Sequence, residues 1–108
     1  MKDFRIPAHL IRSIARGYGY CIASDRITVD GLPVGYAYRE HPDSDGDSGW
    51  RFFSGDESQA YADVAENFEI YDVNTIANYD PEILPFLSLR PPSSIERPPE
   101  GGPLSQVP

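Results

Sequence analysis

The chain has 108 residues, 40% of them hydrophobic, and a formal net charge of −8. This length allows one compact domain. Binding to nucleic acid phosphates requires clustered lysine and arginine, and the acidic composition argues against it. The sequence has neither an apolar run long enough to cross a membrane nor a leader-like N-terminal segment. We therefore expect a cytoplasmic protein that binds neither nucleic acid nor membrane.

The negative charge is concentrated in the middle of the chain. Residues 1–39 carry six basic and three acidic side chains, residues 40–82 carry one and twelve, and residues 83–108 carry two of each. A basic protein is the natural complement of such an acidic surface, although the charge also serves solubility alone. The sequence leaves the oligomeric state open.

The N-terminal third is predicted to form one helix and two strands. Apolar residues recur at helical spacing between Pro7 and Gly17, which predicts a helix over residues 8–16. Residues 19–23 and 27–29 have the apolar, β-branched character of short strands.

Two further strands are predicted to pair as a wide hairpin. Residues 34–39 alternate between large and small side chains, and residues 50–54 place aromatic side chains on both faces. Antiparallel pairing makes residues 41–49 the loop between them. One face of this hairpin is expected to stay partly open.

The rest of the domain is predicted to alternate between helices and one strand. Helices are expected over about residues 57–65 and 81–87, with a strand over residues 69–73 and a turn or helix after Asn74. This order indicates an α+β fold, a small mainly antiparallel sheet with two to three short helices.

The C-terminal end differs in composition from the rest. We assign residues 1–89 to a single domain and residues 90–108 to a tail that holds six of the eleven prolines. This composition predicts a mostly flexible, disordered tail. Only residues 95–97 have the character of a short edge strand.

The acidic loop begins like a calcium-binding loop. Asp43, Asp45 and Asp47 occupy positions 1, 3 and 5, but Ser48 stands where such a loop needs glycine and Ser54 where it needs a bidentate glutamate. A solvated acidic loop is therefore the favoured interpretation. A weak calcium site and a metal-dependent enzyme built on this loop are the lesser alternatives.

No reaction centre can be assembled from the remaining reactive residues. His9 and His41 lack the spacing of metal ligands, and Asp56 and Glu57 have no histidine or inferable pocket beside them. Cys21, the single cysteine, cannot form an internal disulfide, and its apolar surroundings predict a buried, inert thiol. The sequence predicts a protein that is not an enzyme and needs no metal or cofactor.

Trp50, the only tryptophan, has two interpretations. In the core it would anchor the hairpin against neighbouring aromatic side chains. At an interface it would be a hot spot, because Trp and Tyr concentrate binding energy and acidic rims add selectivity. We favour the core position and keep Trp50 among the candidate binding residues.

Five segments resemble a bacterial family, immunity protein family thirty-three of polymorphic toxin systems, formerly a domain of unknown function. The matching segments are SDRI (24–27), DGLPVGY (30–36), YRE (38–40), DSGWRFFSGDE (47–57) and IYDVNTIA (70–77). The resemblance extends over residues 21–87, about two-thirds of the chain, and DSGWRFFSGDE is its most distinctive part.

The resemblance implies a protein that binds a cognate toxin and neutralises it, and it implies no catalytic residues. An acidic patch with apolar anchors would then occlude a basic active-site cleft of the toxin. Its candidate residues are Tyr38, Asp43, Asp45, Asp47, Trp50, Asp56 and Glu57. The alternative is a stand-alone accessory or regulatory domain that binds another protein and has no toxin partner.

Overall fold

The computed structural model describes residues 2–108, in which short helices pack on a six-stranded sheet. The strands are β1 (Tyr20–Ser24), β2 (Tyr36–Arg39), β3 (Asp47–Phe53), β4 (Phe68–Asp72), β5 (Ser93–Glu96) and β6 (Ser105–Gln106). The α-helices are α1 (Asp25–Thr28), α2 (Gln59–Ala62) and α3 (Val73–Tyr79), and 3-10 helices span Ala8–Leu10, Ala65–Asn67 and Pro81–Phe86. The predicted α+β class and mainly antiparallel sheet are confirmed.

The strands lie in the order β4-β1-β3-β2-β5-β6. Only β1 and β3 run parallel, and every other pair is antiparallel. The predicted hairpin is confirmed, because β2 pairs with β3 from Tyr36 opposite Phe53 to Arg39 opposite Trp50. Residues 40–46 of the acidic run therefore form the loop between β2 and β3, the two strands in the middle of the sheet.

One face of the sheet carries the core. Side chains alternate along a strand, so every second residue points to this face. The buried apolar strand residues are Cys21, Ala23, Ala37, Trp50, Phe52 and Ile95, and the helices add Ile27, Val73, Ile76, Ala77 and Ile83. These residues form one cluster, in which α1, α3 and the 3-10 helix Pro81–Phe86 cover the strands.

Glycine is required where the acidic loop enters β3. Gly49 has a φ of +87°, and a Cβ there would lie 2.1 Å from the carbonyl oxygen of Glu40. Next to it, the pairing of β1 with β3 shifts register between Tyr20 and Ile22. This irregularity bends the start of β3, as a β-bulge does.

The prediction of a helix over residues 8–16 is wrong. Only Ala8–Leu10 form a 3-10 turn, and Leu10 and Ile14 remain 56% and 43% exposed. An isolated helix of this length is marginal without a buried apolar face. Side chains of α3 instead bind the backbone of this segment, which stays largely irregular.

The strand predicted over residues 27–29 is also wrong. This stretch lies in and just after α1, whose N-cap is Ser24, with its side chain accepting a hydrogen bond from the amide of Arg26. A serine followed by an aspartate is a helix start signal. The apolar residue Ile27 is buried as part of that helix.

The prediction of a mostly flexible tail over residues 90–108 is not confirmed. Ser93–Glu96 pair with all four residues of β2, and Ile95 is fully buried. Arg97 donates to the backbone oxygen of Val34 at 3.1 Å and forms an ion pair with Asp80 at 2.9 Å. These long-range contacts order the segment despite its proline content.

Candidate partner-binding surface

The sheet has a second face, opposite the core. On it β1 to β4 place Ile22, Tyr36, Tyr38, Phe53, Phe68 and Ile70, and we call these six residues the open face. Ile70 is 67% exposed and Tyr36 is 38% exposed. The helices α1 and α3 pack on the other side, so apolar side chains remain accessible here.

The aromatic rings of the open face form a continuous row across three strands. Phe53 lies 6.0 Å from Tyr36 and 6.0 Å from Tyr38, and it contacts Phe68 edge-on at 5.8 Å between ring centroids. Phe68 in turn meets Tyr61 of α2 at 6.0 Å. The strand between Phe53 and Phe68 contributes only the small Ser24 at this level, which lets the rings touch.

A buried ion pair lies beside this row. Arg51 makes two bonds to the carboxylate of Asp47, at 2.9 and 2.8 Å, and a third to Glu40 at 2.8 Å. The side chains of Asp47 and Arg51 are only 4% and 6% exposed. The Arg51 guanidinium holds the pKa of Asp47 well below its usual range, and the amides of Gly49 and Asp43 act in the same direction.

Asp43 and Asp45 lie at one end of the open face, in the loop that precedes β3. Tyr20 supports this loop, because its hydroxyl lies 2.8 Å from Ser44 Oγ and donates to the backbone oxygen of Asp45 at 3.4 Å. Both aspartates are exposed. Their carboxylates are accessible to a partner.

Asp56 and Glu57 lie at the other end, after β3. Asp56 forms an ion pair with Arg26 at 3.2 Å. Glu57 is partly buried, which opposes its ionisation, but hydrogen bonds from Ser24 and from the amides of Ser54 and Gly55 leave its pKa lowered. Glu57 therefore stabilises the turn after β3 through these hydrogen bonds.

The seven predicted contact residues therefore fall into accessible and buried groups. Tyr38 lies in the middle of the open face, and burial raises its pKa. Asp43, Asp45 and Asp56 are exposed at its two ends. These ends are separated by the seven residues of β3, roughly 20 Å of strand, so the acids form two groups and not one patch.

Trp50 and Asp47 offer no surface to a partner. Trp50 is fully buried, stacks on Phe52 at 5.6 Å and donates from Nε1 to the backbone oxygen of Leu87 at 3.2 Å. Arg39 lies over its ring at 5.9 Å. The core interpretation of Trp50 therefore agrees with its position.

The sequence did not single out Tyr36, Phe53, Phe68 and Ile70. The alternation of Tyr36 and Tyr38 around Ala37 carries a signal for β2, because it puts two rings on the face opposite the buried alanine. Ile70 carries no such signal. Its exposure depends on β4 being an edge strand.

The structure also places the possible metal ligands and the thiol of Cys21. Across residues 2–108, no group of three or more His, Cys, Asp or Glu side chains is placed to hold a metal ion. Burial, followed by the charge of Asp72, raises the pKa of the Cys21 thiol far above its ordinary value. Over the same range, no helix has the length and apolar character that crossing a membrane requires.

Comparisons with known proteins give one match. The family described as "Immunity protein Imm33 domain" matches residues 21–107. The match continues through β5 and β6, beyond residue 87 where the resemblance found in the sequence ended. No curated protein and no solved structure matches the chain.

Proposed function

The chain belongs to the Imm33 immunity protein family, and we propose that it binds and neutralises a basic bacterial toxin with the open face of its sheet. The observation that supports this most directly is the aromatic row on the face opposite the core. It is partly accessible, α2 contacts it at Phe68, and acidic residues border it at both ends. Aromatic clusters of this kind supply the hot spots of protein interfaces. The proposal places the encounter in the cytoplasm.

The aromatic and acidic residues have different tasks in this proposal. Tyr36, Tyr38 and Ile70 provide the apolar contact area, which sets the dissociation rate. Asp43 and Asp45 act at longer range, because complementary charge raises the association rate and rejects partners of the wrong sign. The toxin is blocked by occlusion, and no catalytic residue of this chain takes part.

Association kinetics test the role of the acidic loop. The partner is first identified by pull-down from the source bacterium and mass spectrometry, and its purified toxin domain is the probe. We expect the double variant Asp43→Asn/Asp45→Asn to lower the association rate about tenfold at low ionic strength and to flatten its salt dependence. The dissociation rate should change little.

A matched control separates loop charge from net charge. Asp3→Asn/Glu66→Gln makes the same change in net charge at two exposed residues outside the loop, and it should leave the association rate nearly unchanged. Equal rates for the wild type and the loop variant at every salt concentration would contradict the role of Asp43 and Asp45.

A further inference from the structure

A groove of about 870 Å³ opens at the Asp56 end of the open face. It lies between the segment before β2, the turn after β3 and the segment after β5, and its walls include Pro33, Tyr36, Asp56, Glu96 and Pro98. We propose that this groove binds an arginine side chain of the partner, with the guanidinium against the Tyr36 ring and between the carboxylates of Glu96 and Asp56.

Tyr36 and Glu96 are direct neighbours across two strands. They are opposite each other in the pairing of β2 with β5, so their side chains share one face about 5 Å apart. Both are exposed. Within residues 2–108, the Glu96 carboxylate has neither an ion pair nor a hydrogen bond, unlike Asp47 and Asp80 in their buried ion pairs.

The one basic residue in the groove wall is already neutralised. Arg97 forms ion pairs with Asp80 at 2.9 Å and Glu82 at 3.0 Å, and it donates to backbone oxygens of Val34 and Gly102. The groove therefore presents net negative charge. Its proline walls exclude water from one side of a bound group, which strengthens a charged contact.

The same molecule already holds a guanidinium in this manner. Arg26 lies over the ring of Tyr61 at 5.7 Å and forms ion pairs with Asp30 at 3.3 Å and Asp56 at 3.2 Å. Tyr36 and the unpaired Glu96 offer a ring and a carboxylate of the same kind in the groove. Asp56, which pairs with Arg26 and accepts from Ser54, adds a second negative charge to its wall. The planar fork and weak hydration of a guanidinium suit it better than an ammonium.

The inference names the partner's chemistry and rests on the proposed function, but its test does not need the toxin. The probe is the blocked peptide acetyl-Gly-Arg-Gly-Arg-Gly-amide, titrated into the full chain at low salt and followed by amide chemical shifts. We expect shifts at Gly35, Gly55 and Gly101, which line the groove. The same peptide with citrulline, which keeps the shape and loses the charge, should not bind.

Two variants complete the test. Glu96→Gln should weaken binding of the arginine peptide about threefold to fivefold, as expected for one partly exposed charged contact. Glu66→Gln, the same charge change at an exposed residue outside the groove, should leave it unaltered.

The outcomes are distinguishable from those of the toxin experiment. Equal weakening by both variants would show general charge attraction and overturn the groove assignment, as would an absence of shifts at the three glycines. Either result leaves toxin binding by the open face standing. Conversely, specific peptide binding without any toxin would support the groove alone.

Discussion

At the scale of single residues, the acidic run contains two kinds of carboxylate. Asp47 is buried and committed to Arg51, whereas Asp45, two positions earlier, is exposed. Breaking a buried ion pair leaves the other charge without compensation, which costs far more than removing an exposed charge. The same substitution is therefore expected to destabilise the protein strongly at Asp47 and hardly at all at Asp45.

We expect Asp47→Asn to lower the free energy of unfolding by about 3–5 kcal/mol. Asp45→Asn, the matched control, should stay within about 0.5 kcal/mol of the wild type. Urea denaturation of the two variants and the wild type measures the difference. Similar stability for all three would show that the Asp47–Arg51 pair contributes little.

The lowered pKa of Asp47 also predicts a pH dependence. A carboxyl group whose pKa is depressed in the folded state stabilises the fold above its unfolded pKa of about 3.9, and this contribution is lost as the pH falls further. We expect the free energy of unfolding to decrease below about pH 4. In Asp47→Asn the acid limb should be shallower when unfolding is measured between pH 2 and pH 6.

At the scale of elements, the N-terminal segment is held by side chains of α3. Asn74 accepts hydrogen bonds from the amides of Ile14 and Ala15 at 2.8 Å, and Asn78 accepts one from the amide of Arg12 at 2.8 Å. Both asparagines also donate to the backbone oxygen of Arg12. These bonds replace the intrahelical ones that the apolar spacing predicts.

Removing these asparagines should release the segment. We expect Asn74→Ala/Asn78→Ala to accelerate trypsin cleavage after Arg12 and Arg16 severalfold, because proteolysis requires local detachment of the backbone. Thr75→Ala, on the same helix, is the control and should be cleaved like the wild type. Cleavage rates are read by mass spectrometry of timed samples. Unchanged cleavage of the double variant would show that Asn74 and Asn78 do not hold the N-terminal segment in place.

The last strands permit a second test at this scale. Because β5 pairs with β2 and Ile95 is fully buried, amide hydrogens of Ser93–Glu96 should exchange slowly. Those of residues 100–102, which are exposed and outside any strand, should exchange within the shortest labelling time. Hydrogen exchange with peptide-level resolution measures both. Equally fast exchange in both segments would support the prediction of a flexible tail over residues 90–108.

At the scale of the whole molecule, the two faces of the sheet differ in burial. Helices cover the core face, whereas the open face carries aromatic and apolar side chains that are partly accessible, and we expect these to contribute less to stability. Truncating a buried isoleucine removes apolar contacts and leaves a cavity. Truncating an exposed one does neither.

Two isoleucines test this separation. Ile76→Ala, in the fully buried part of α3, should lower the free energy of unfolding by about 2–5 kcal/mol. Ile70→Ala, at a residue 67% exposed, should change it by about 0.5 kcal/mol or less and should instead speed dissociation of the toxin. Comparable destabilisation by both would mean that the open face is part of the core.

The sequence by itself determined the local pattern of this protein. Alternation of side chains in β2 and β3, the hairpin between them and the separation of Trp50 from Arg51 onto opposite faces follow from periodicity over a few residues. The family resemblance rests on the same segments. These features depend on neighbours in the chain, so the residues predict them.

Only the tertiary structure decided which groups are accessible. It buried Asp47 and left Asp45 exposed. It also kept the N-terminal segment from forming a helix and paired residues 93–96 with β2. It also divided the acids between two ends of β3 and left the aromatic row between them partly accessible. Each of these results depends on contacts between residues far apart in the chain, and local sequence periodicity carries no record of such contacts.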